Sequence, residues 1–328
     1  MLKKVSVQIV TYNSLKYLDD CLKSLFNQTF KDFEVMVIDN YSTDGTLEFL
    51  RAQYPSVYLF HNLKNLGFAQ AHNQGFSLFK SEFILVLNPD VILEPDFLEK
   101  LLKEAQKKKN GFSFGPKLLK IKTEIRDDLE EKQKTKMIDS TGLEIHPWAT
   151  ASDRGEGEED KGQYDKETEV FGLSGASVLY RRKILEKIGF FDSDFFAYKE
   201  DVDLAWRSQL LGFSSYFVPE ALAYHYRQAP KQRRLSQNPL VAFYSFRNGL
   251  YLLLKNLHWQ TFLLYFPLIL GYQQAKAFYL LFKAPKMFFK AKLSFLVYAS
   301  AMYRKREKIF KKTKLTAKQF RKKWLRLV

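Results

Sequence analysis

The stretch FILVLNPDVIL, Phe83 to Leu93, is an unbroken apolar run until it meets Asn88, Pro89 and Asp90. Ile, Leu and Val without polar alternation suit a strand covered on both faces. Pro89 has no N–H to give a sheet ladder, so the strand should end there and leave Asp90 at its carboxyl end. In open α/β sheets ligands bind at that edge, and a carboxylate there can hold a divalent cation against phosphates. Taken alone, the tripeptide reads as a plain turn; its neighbours decide.

Upstream, Val5 to Val10 predicts another buried strand, broken by Thr11, Tyr12, Asn13 and Ser14. Leu18, Cys21, Leu22 and Leu25 recur at helical spacing within Tyr17 to Phe26, an amphipathic helix. A second strand, Phe33 to Ile38, closes on Asp39 and Asn40, and Ser42 to Gly45 form a cap-rich turn into the next helix. Val57 to His61 reads as a third strand and Gln70 to Phe79 as a helix, entered through Asn65, Leu66, Gly67, Phe68 and Ala69. Such alternation argues for parallel βαβ units, which would gather Thr11 to Asn13, Asp39, Asn40 and Asp90 on one sheet edge. Gly67 would let a phosphate approach the backbone at a helix start. A simple N-cap turn is the alternative, and the pattern is not the dinucleotide fingerprint GxGxxG.

The 328 residues suffice for one large α/β domain with an appendage. Cys21 is the only cysteine, so no intrachain disulfide forms and a reducing compartment is the natural reading. Met1 to Lys4 leads straight into strand-like sequence, and no signal peptide is expected. The net charge of +16 is localised: Lys276 to Val328 holds 17 Lys and Arg against Glu307, and the remaining 35 basic and 35 acidic residues cancel. Charge alone leaves anionic lipid and nucleic acid open for this tail. No recognition helix, zinc-ligand spacing or RNP-like strand accompanies it, so no nucleic-acid partner is expected.

TYN at 11–13, IDN at 38–40, NLGFAQAHNQG at 65–75 and LNPDV at 87–91 resemble, in order and spacing, the nucleotide-sugar half of the family 2 glycosyltransferases. The resemblance implies the GT-A fold, a Rossmann-like α/β architecture with a mostly parallel sheet flanked by helices. It further implies that Thr11, Tyr12 and Asn13 line the nucleotide site, that Asp39 reads the base, and that Asn65, Gly67, His72 and Asn73 flank the nucleotide sugar. Asn88, Pro89 and Asp90 would fill the DxD slot, with Asp90 ligating the Mg2+ or Mn2+ that bridges the donor diphosphate. Asn88 stands where a first aspartate is commoner. One carboxylate with waters and phosphate oxygens still satisfies magnesium.

Farther on, Pro95 to Lys109 predicts a helix. The charge-rich section from Lys120 to Glu169 reads as a short strand or two and then a mobile loop, DRGEGEEDKGQYD at 153–165. Its DSTGL and DRG elements resemble those of rhamnosyltransferase-like members, which implies a substrate lid; a merely solvated insertion is the alternative. Phe171 to Tyr180 predicts a strand whose small residues Ser174, Gly175 and Ala176 leave room for a ligand, on the acceptor side by resemblance. In FFAYKEDVDLAWR, 195–207, a helix from Glu200 to Leu210 puts Glu200, Asp203 and Arg207 along one stripe and Asp201 at its start. By itself Asp201 is a capping acid. Aligned with the family's ED motif it becomes the general base, with Glu200 beside it as an acceptor-binding or supporting carboxylate, while Asp203 and Arg207 hold the helix. Ser214 to Tyr226 predicts a strand, and the resemblance sends His225 to the metal and Arg227 to the diphosphate, followed by a mobile basic segment through Ser236.

From Pro239 the sequence turns to aromatic helices. The strongly apolar core Phe262 to Tyr272 has 11 residues, short of the ~20 that a span needs. Lys283, Lys286, Lys290 and Lys292 interrupt Phe278 to Tyr303 as in an interfacial helix; a helical subdomain packed on the core or on a second copy is the alternative. The expectation is a catalytic domain over 1–238, with a donor half (1–110) and an acceptor half (111–238), and a basic membrane-associating extension over 239–328. Its activity would be inverting, metal-dependent transfer of a sugar, a rhamnose-like deoxysugar first, from a nucleotide-diphospho-sugar. A dTDP-sugar is the first donor and a UDP-sugar the second, the acceptor is a lipid-linked glycan, and the place is the inner face of the cell membrane. A GT-A scaffold without turnover, suggested by Asn88, is the rival.

Overall fold

The computed structural model describes residues 2–126, 129–227 and 238–325, and the basic segment at 228–236 lies outside them. The chain opens with β1 (Val5–Thr11), α1 (Leu15–Phe26), β2 (Phe33–Asp39), α2 (Thr46–Gln53), β3 (Tyr58–His61), α3 (Gly67–Leu78) and β4 (Phe83–Leu87). Strand β1 runs parallel to both β2 and β4, and β2 runs parallel to β3. Alternate residues of β4 explain its unbroken apolar run. Phe83, Leu85 and Leu87 pack with α1, while Ile84 and Val86 pack against Ala69 on α3 and against Leu204.

The next elements are β5 (Val91–Leu93), α4 (Phe97–Lys107), β6 (Gly111–Arg126), β7 (Leu129–Ser140), β8 (Leu143–Ile145), β9 (Ala151–Asp153), β10 (Thr168–Val170), β11 (Ser177–Arg181), α5 (Arg182–Ile188), α6 (Glu200–Leu210) and β12 (Ser214–His225). The main sheet has the order β10-β12-β6-β11-β4-β1-β2-β3. This is the expected α/β sheet with flanking helices, parallel from β4 to β3. Beyond β4 it is mixed, because β11 enters antiparallel and only β6 and β12 restore a parallel pair.

The section from 120 to 169 departs from expectation. Strands β6 and β7 form a long antiparallel hairpin rather than one or two short strands. In β7 the lysines are exposed and bond outward, Lys132 to Asp20 and Lys134 to Glu94, so no alternating apolar pattern marks it. The 153–165 loop is tethered rather than free: the buried Lys117 of β6 draws in Asp160 and Asp165, and Arg154 donates to the Thr141 carbonyl. A buried ammonium demands such counter-charges.

Five helices follow: α7 (Pro239–Asn256), α8 (Trp259–Leu264), α9 (Phe266–Lys283), α10 (Pro285–Phe310) and α11 (Ala317–Trp324). They share a core with the sheet domain, in which Trp206 of α6 stacks on Phe320 of α11 with centroids 5.8 Å apart. Asp203 fastens α6 to α7 through Lys255 and Asn256, and Arg207 spans Asp203 and the carbonyls of Ile188 to Phe190, as read for a helix-holding pair. Outward, α9 and α10 expose Phe278, Phe282, Phe289, Leu293 and Leu296. No helix among the described residues is long and apolar enough to cross a membrane.

Candidate active site

The carboxyl ends of β1, β2 and β4 open on a cleft of about 300 Å³ lined by Tyr12, Asn13, Asn40, Asn65, Gly67, Asn88 and Asp90. Asn13 holds a left-handed φ of 51° because its side chain accepts the Thr43 N–H at 2.8 Å. Asn65 accepts the Gly67 N–H at 2.8 Å in the turn just ahead of α3, whose N-cap position is Leu66, and it also lines the cleft. Gly67, at φ 81°, also makes room for a neighbour: a Cβ there would sit 2.6 Å from Phe196.

Beneath the cleft Asp39 is buried. One carboxylate oxygen accepts the N–H groups of Tyr41 and Ser42 and lies 2.9 Å from His61 Nδ1; the other has no partner. Three expected donor-site residues lie elsewhere. The Thr11 side chain is buried in the sheet, where an inward-pointing strand residue must be. His72 is a core residue, edge-on to Phe68 at 4.3 Å and 3.3 Å from Gln8, and burial pushes it down to about 3. Asn73 donates to the Phe191 carbonyl, 2.8 Å away. Only the first turn of α3 faces the cleft.

Asp90 and His225 converge, with Oδ1 to Nε2 at 3.2 Å, because β5 pairs Val91 with His225 of β12. The other imidazole nitrogen is 2.8 Å from Asp139 at the end of β7. The two carboxylates hold His225 up to about 10 against the opposing burial, and Asp139 is drawn down to about 2 by His225 and Arg227. Asp139 opens the DSTGL element, and a carboxylate that orients a histidine in this way is a familiar support for metal binding. Arg227 does not line the donor cleft. Its guanidinium is taken up by Asp139, Asp153 and Glu156 beside the neighbouring cavity.

No three His, Cys, Asp or Glu side chains among the described residues form a separate metal cage. The fit to a divalent cation rests on the Asp90 carboxylate with space for phosphate oxygens and water, donors that suit Mg2+ or Mn2+, while His225, held protonated between Asp90 and Asp139, would join them only on giving up the Nε2 proton it shares with Asp90.

A second cleft of about 370 Å³ adjoins the first, sharing Phe68, Asn88 and Ala197 with it and lined on its far side by Ser174, Gly175, Lys199, Glu200 and Asp201. Asp201 accepts N–H bonds from Gly175 at 3.1 Å and Val202 at 2.7 Å. Burial raises both adjacent carboxyls, Glu200 far more than Asp201, since only Asp201 has these amides and nearby Lys199 to favour its charge. The pair therefore has one carboxyl that keeps its proton and one poised to take a proton. The clefts meet along the loop 195–199, whose carbonyls at Phe195, Ala197 and Tyr198 all accept from Asn248 of α7.

Comparison with known proteins agrees with this geometry. A family model described as glycosyl transferase family 2 matches residues 6–189, and one described as glycosyl transferase family group 2 matches residues 157–326. An N-acetylglucosaminyl-diphospho-decaprenol L-rhamnosyltransferase of Mycobacterium tuberculosis is 29% identical over 239 residues, 67% of this chain and 75% of that protein. A chondroitin synthase of Escherichia coli is 41% identical over 106 residues, 31% of this chain and 15% of that one. Among solved structures, GalNAc-T7 with UDP, GalNAc and Mn2+ superposes at a TM-score of 0.59 and 14% identity, covering 77% of this chain and 48% of that one. The mannosyltransferase PcManGT from Pyrobaculum calidifontis, in complex with GDP-Man and Mn2+, gives 0.54 and 16% identity, covering 94% and 85%. The fold is thus that of GT-A glycosyltransferases. The chain belongs to glycosyl transferase family 2 and is a glycosyltransferase.

Proposed function

We propose that the enzyme transfers a deoxysugar, rhamnose-like by kinship with the mycobacterial relative, from a nucleotide-diphospho-sugar to a lipid-linked glycan, with inversion. The observation that carries this reading is the pair of joined clefts, with Asp90 lining one, Asp201 lining the other, and His225 on the wall of the second reaching Asp90 at their boundary. The donor lies in the first cleft between Tyr12, Asn13, Asn65 and Gly67, with the unpartnered oxygen of Asp39 suited to a base N–H. Asp90 and His225 would hold Mg2+ or Mn2+, which when bound offsets charge on the leaving diphosphate. Asp201 takes the proton of the acceptor hydroxyl as that oxygen attacks the anomeric carbon from the opposite side, and the neutral Glu200 can donate to an acceptor oxygen. A single in-line displacement inverts the anomeric centre.

The exposed apolar faces of α9 and α10, flanked by Lys283, Lys286, Lys290 and Lys292, support peripheral attachment to an anionic membrane, on the inner face where nucleotide-sugars are available. Donor choice is tested by supplying a dTDP-linked deoxysugar or UDP-hexoses with Mg2+ or Mn2+ and a polyprenyl-diphosphate-linked N-acetylglucosamine, and measuring acceptor-dependent release of the nucleotide diphosphate. Preference for the dTDP-sugar supports the reading; turnover with a UDP-hexose alone replaces the donor, and no acceptor-dependent release from any of them would end it.

A further inference from the structure

We propose that Lys199 and Lys276 together bind the diphosphate of the lipid-linked acceptor, with the lipid chain running along the exposed apolar side of α9. The proposal rests on the acceptor class put forward above. Lys199 rims the acceptor cleft next to Glu200 and Asp201 and is absent from the lining of the donor cleft. It sits at φ 71°, a left-handed conformation that glycine or asparagine adopts at less cost. A lysine kept there points to a use for its ammonium.

Lys276 comes from α9 and reaches inward across α7. Its Nζ donates to the Ser245 carbonyl at 3.0 Å and lies 5.7 Å from the Phe246 ring centroid. Asn248, on the adjoining stretch of α7, binds the carbonyls of Ala197 and Tyr198 and so brings the loop bearing Lys199 against the same place. Among the described residues neither ammonium has a carboxylate within ion-pair distance. Burial first, and then the charge of Lys199, push Lys276 down to about 7, as befits a cation short of a counter-charge. Lys199 lines the cleft, and Lys276 stands behind its loop, near enough for the two charges to repel; two such cations from different elements suit a dianionic group. From Lys276 the outer side of α9 continues through Phe278, Tyr279 and Phe282, which are 63%, 43% and 75% exposed. One helix thus offers a charged contact inward and an apolar track outward, as an isoprenyl diphosphate requires.

The test titrates the full-length protein in neutral detergent with farnesyl diphosphate, farnesol and inorganic pyrophosphate. Phosphatidylglycerol serves as competitor, and a nucleotide diphosphate with Mn2+ as a control for the fold and donor site. Farnesyl diphosphate should bind at least about tenfold more tightly than either fragment, and Lys276→Met and Lys199→Asn should each weaken it by about tenfold or more, the loss of one charge-assisted contact. Nucleotide diphosphate affinity should stay within about twofold in both variants, as for independent sites. Variants that bind farnesyl diphosphate like wild type would overturn the proposal. So would equal loss of nucleotide binding, which gives the lysines to the donor; pyrophosphate binding as tight as the lipid; or displacement by phosphatidylglycerol at equal concentration. A wild type that binds no nucleotide diphosphate would instead overturn the glycosyltransfer reading on which the proposal stands.

Discussion

Asn248 is the residue through which the helical region is predicted to control the active-site loop. It is fully buried, and its amide nitrogen faces the carbonyls of Phe195, Ala197 and Tyr198 at 2.9, 2.9 and 2.7 Å, while its oxygen accepts from Arg247 at 3.0 Å. The loop it grips holds Phe196, Tyr198 and Lys199 at φ of 63°, 67° and 71°. Such non-glycine conformations cost on the order of 1–3 kcal/mol each and persist only when surrounding contacts enforce them. One NH2 group has two hydrogens for three acceptors, so Asn248→Ala removes the equivalent of two hydrogen bonds to the loop and, with them, the one accepted from Arg247. At about 1–3 kcal/mol for each buried group left unsatisfied, partly offset as the loop relaxes, the net loss is about 2–4 kcal/mol. Asn248→Asp keeps the size and the bond from Arg247 but turns an acceptor on the carbonyls, so it should be at least as damaging. Denaturant unfolding reads the stability change, and kcat/KM should fall because Ala197 lines both clefts. Two variants that are both within about 0.5 kcal/mol of wild type, the usual range for inconsequential substitutions, and equally active would refute this account of the loop.

Asp139→Asn should weaken Mn2+-dependent binding of a nucleotide diphosphate by about 10–100-fold, the usual effect of losing a carboxylate that orients a ligand histidine; unchanged calorimetric affinity would contradict that role. The rate should fall as pH is lowered through the raised value of Asp201, because the base works only when ionised, placing the acid limb of kcat/KM above the ordinary aspartate value of about 3.9. An acid limb at or below that value would count against Asp201 as base. Replacing the exposed Phe282 and Phe289 by serine should cost about 1.5–3 kcal/mol of vesicle binding per ring, with turnover on a soluble acceptor unchanged; undiminished vesicle binding would remove these faces from membrane attachment.

Where the sequence was legible, one physical signal dominated. Strand β4 has both faces covered and reads as a continuous apolar run, β1 and β2 read as Val- and Ile-rich runs broken only by Ser6, Gln8 and Glu34, and the paired stripes of α6 place it at Glu200 to Leu210. Strand β7 was illegible because its exposed faces carry Lys132 and Lys134, which bond to Asp20 and Glu94 far along the chain. The same distance hid Asp139, which meets His225 across 86 residues, and Lys276, whose role depends on how α9 crosses α7. His72 misled in the opposite way: a polar side chain on the motif helix turned out to be a buried packing residue against Phe68 and Phe191. Arg227 likewise follows His225 directly, yet its strand end directs it to Asp139 and Asp153.

The most direct test of the central claim compares Asp201→Asn with Asp90→Ala in two assays, nucleotide diphosphate binding with Mn2+ and acceptor-dependent release of nucleotide diphosphate from the donor sugar. The account predicts a split. Asp201→Asn should bind nucleotide like wild type and release almost none, whereas Asp90→Ala should lose the Mn2+-dependent part of nucleotide binding. Equal, small losses in both variants, or retained turnover in Asp201→Asn, would contradict the assignment of donor and acceptor clefts to these two carboxylates.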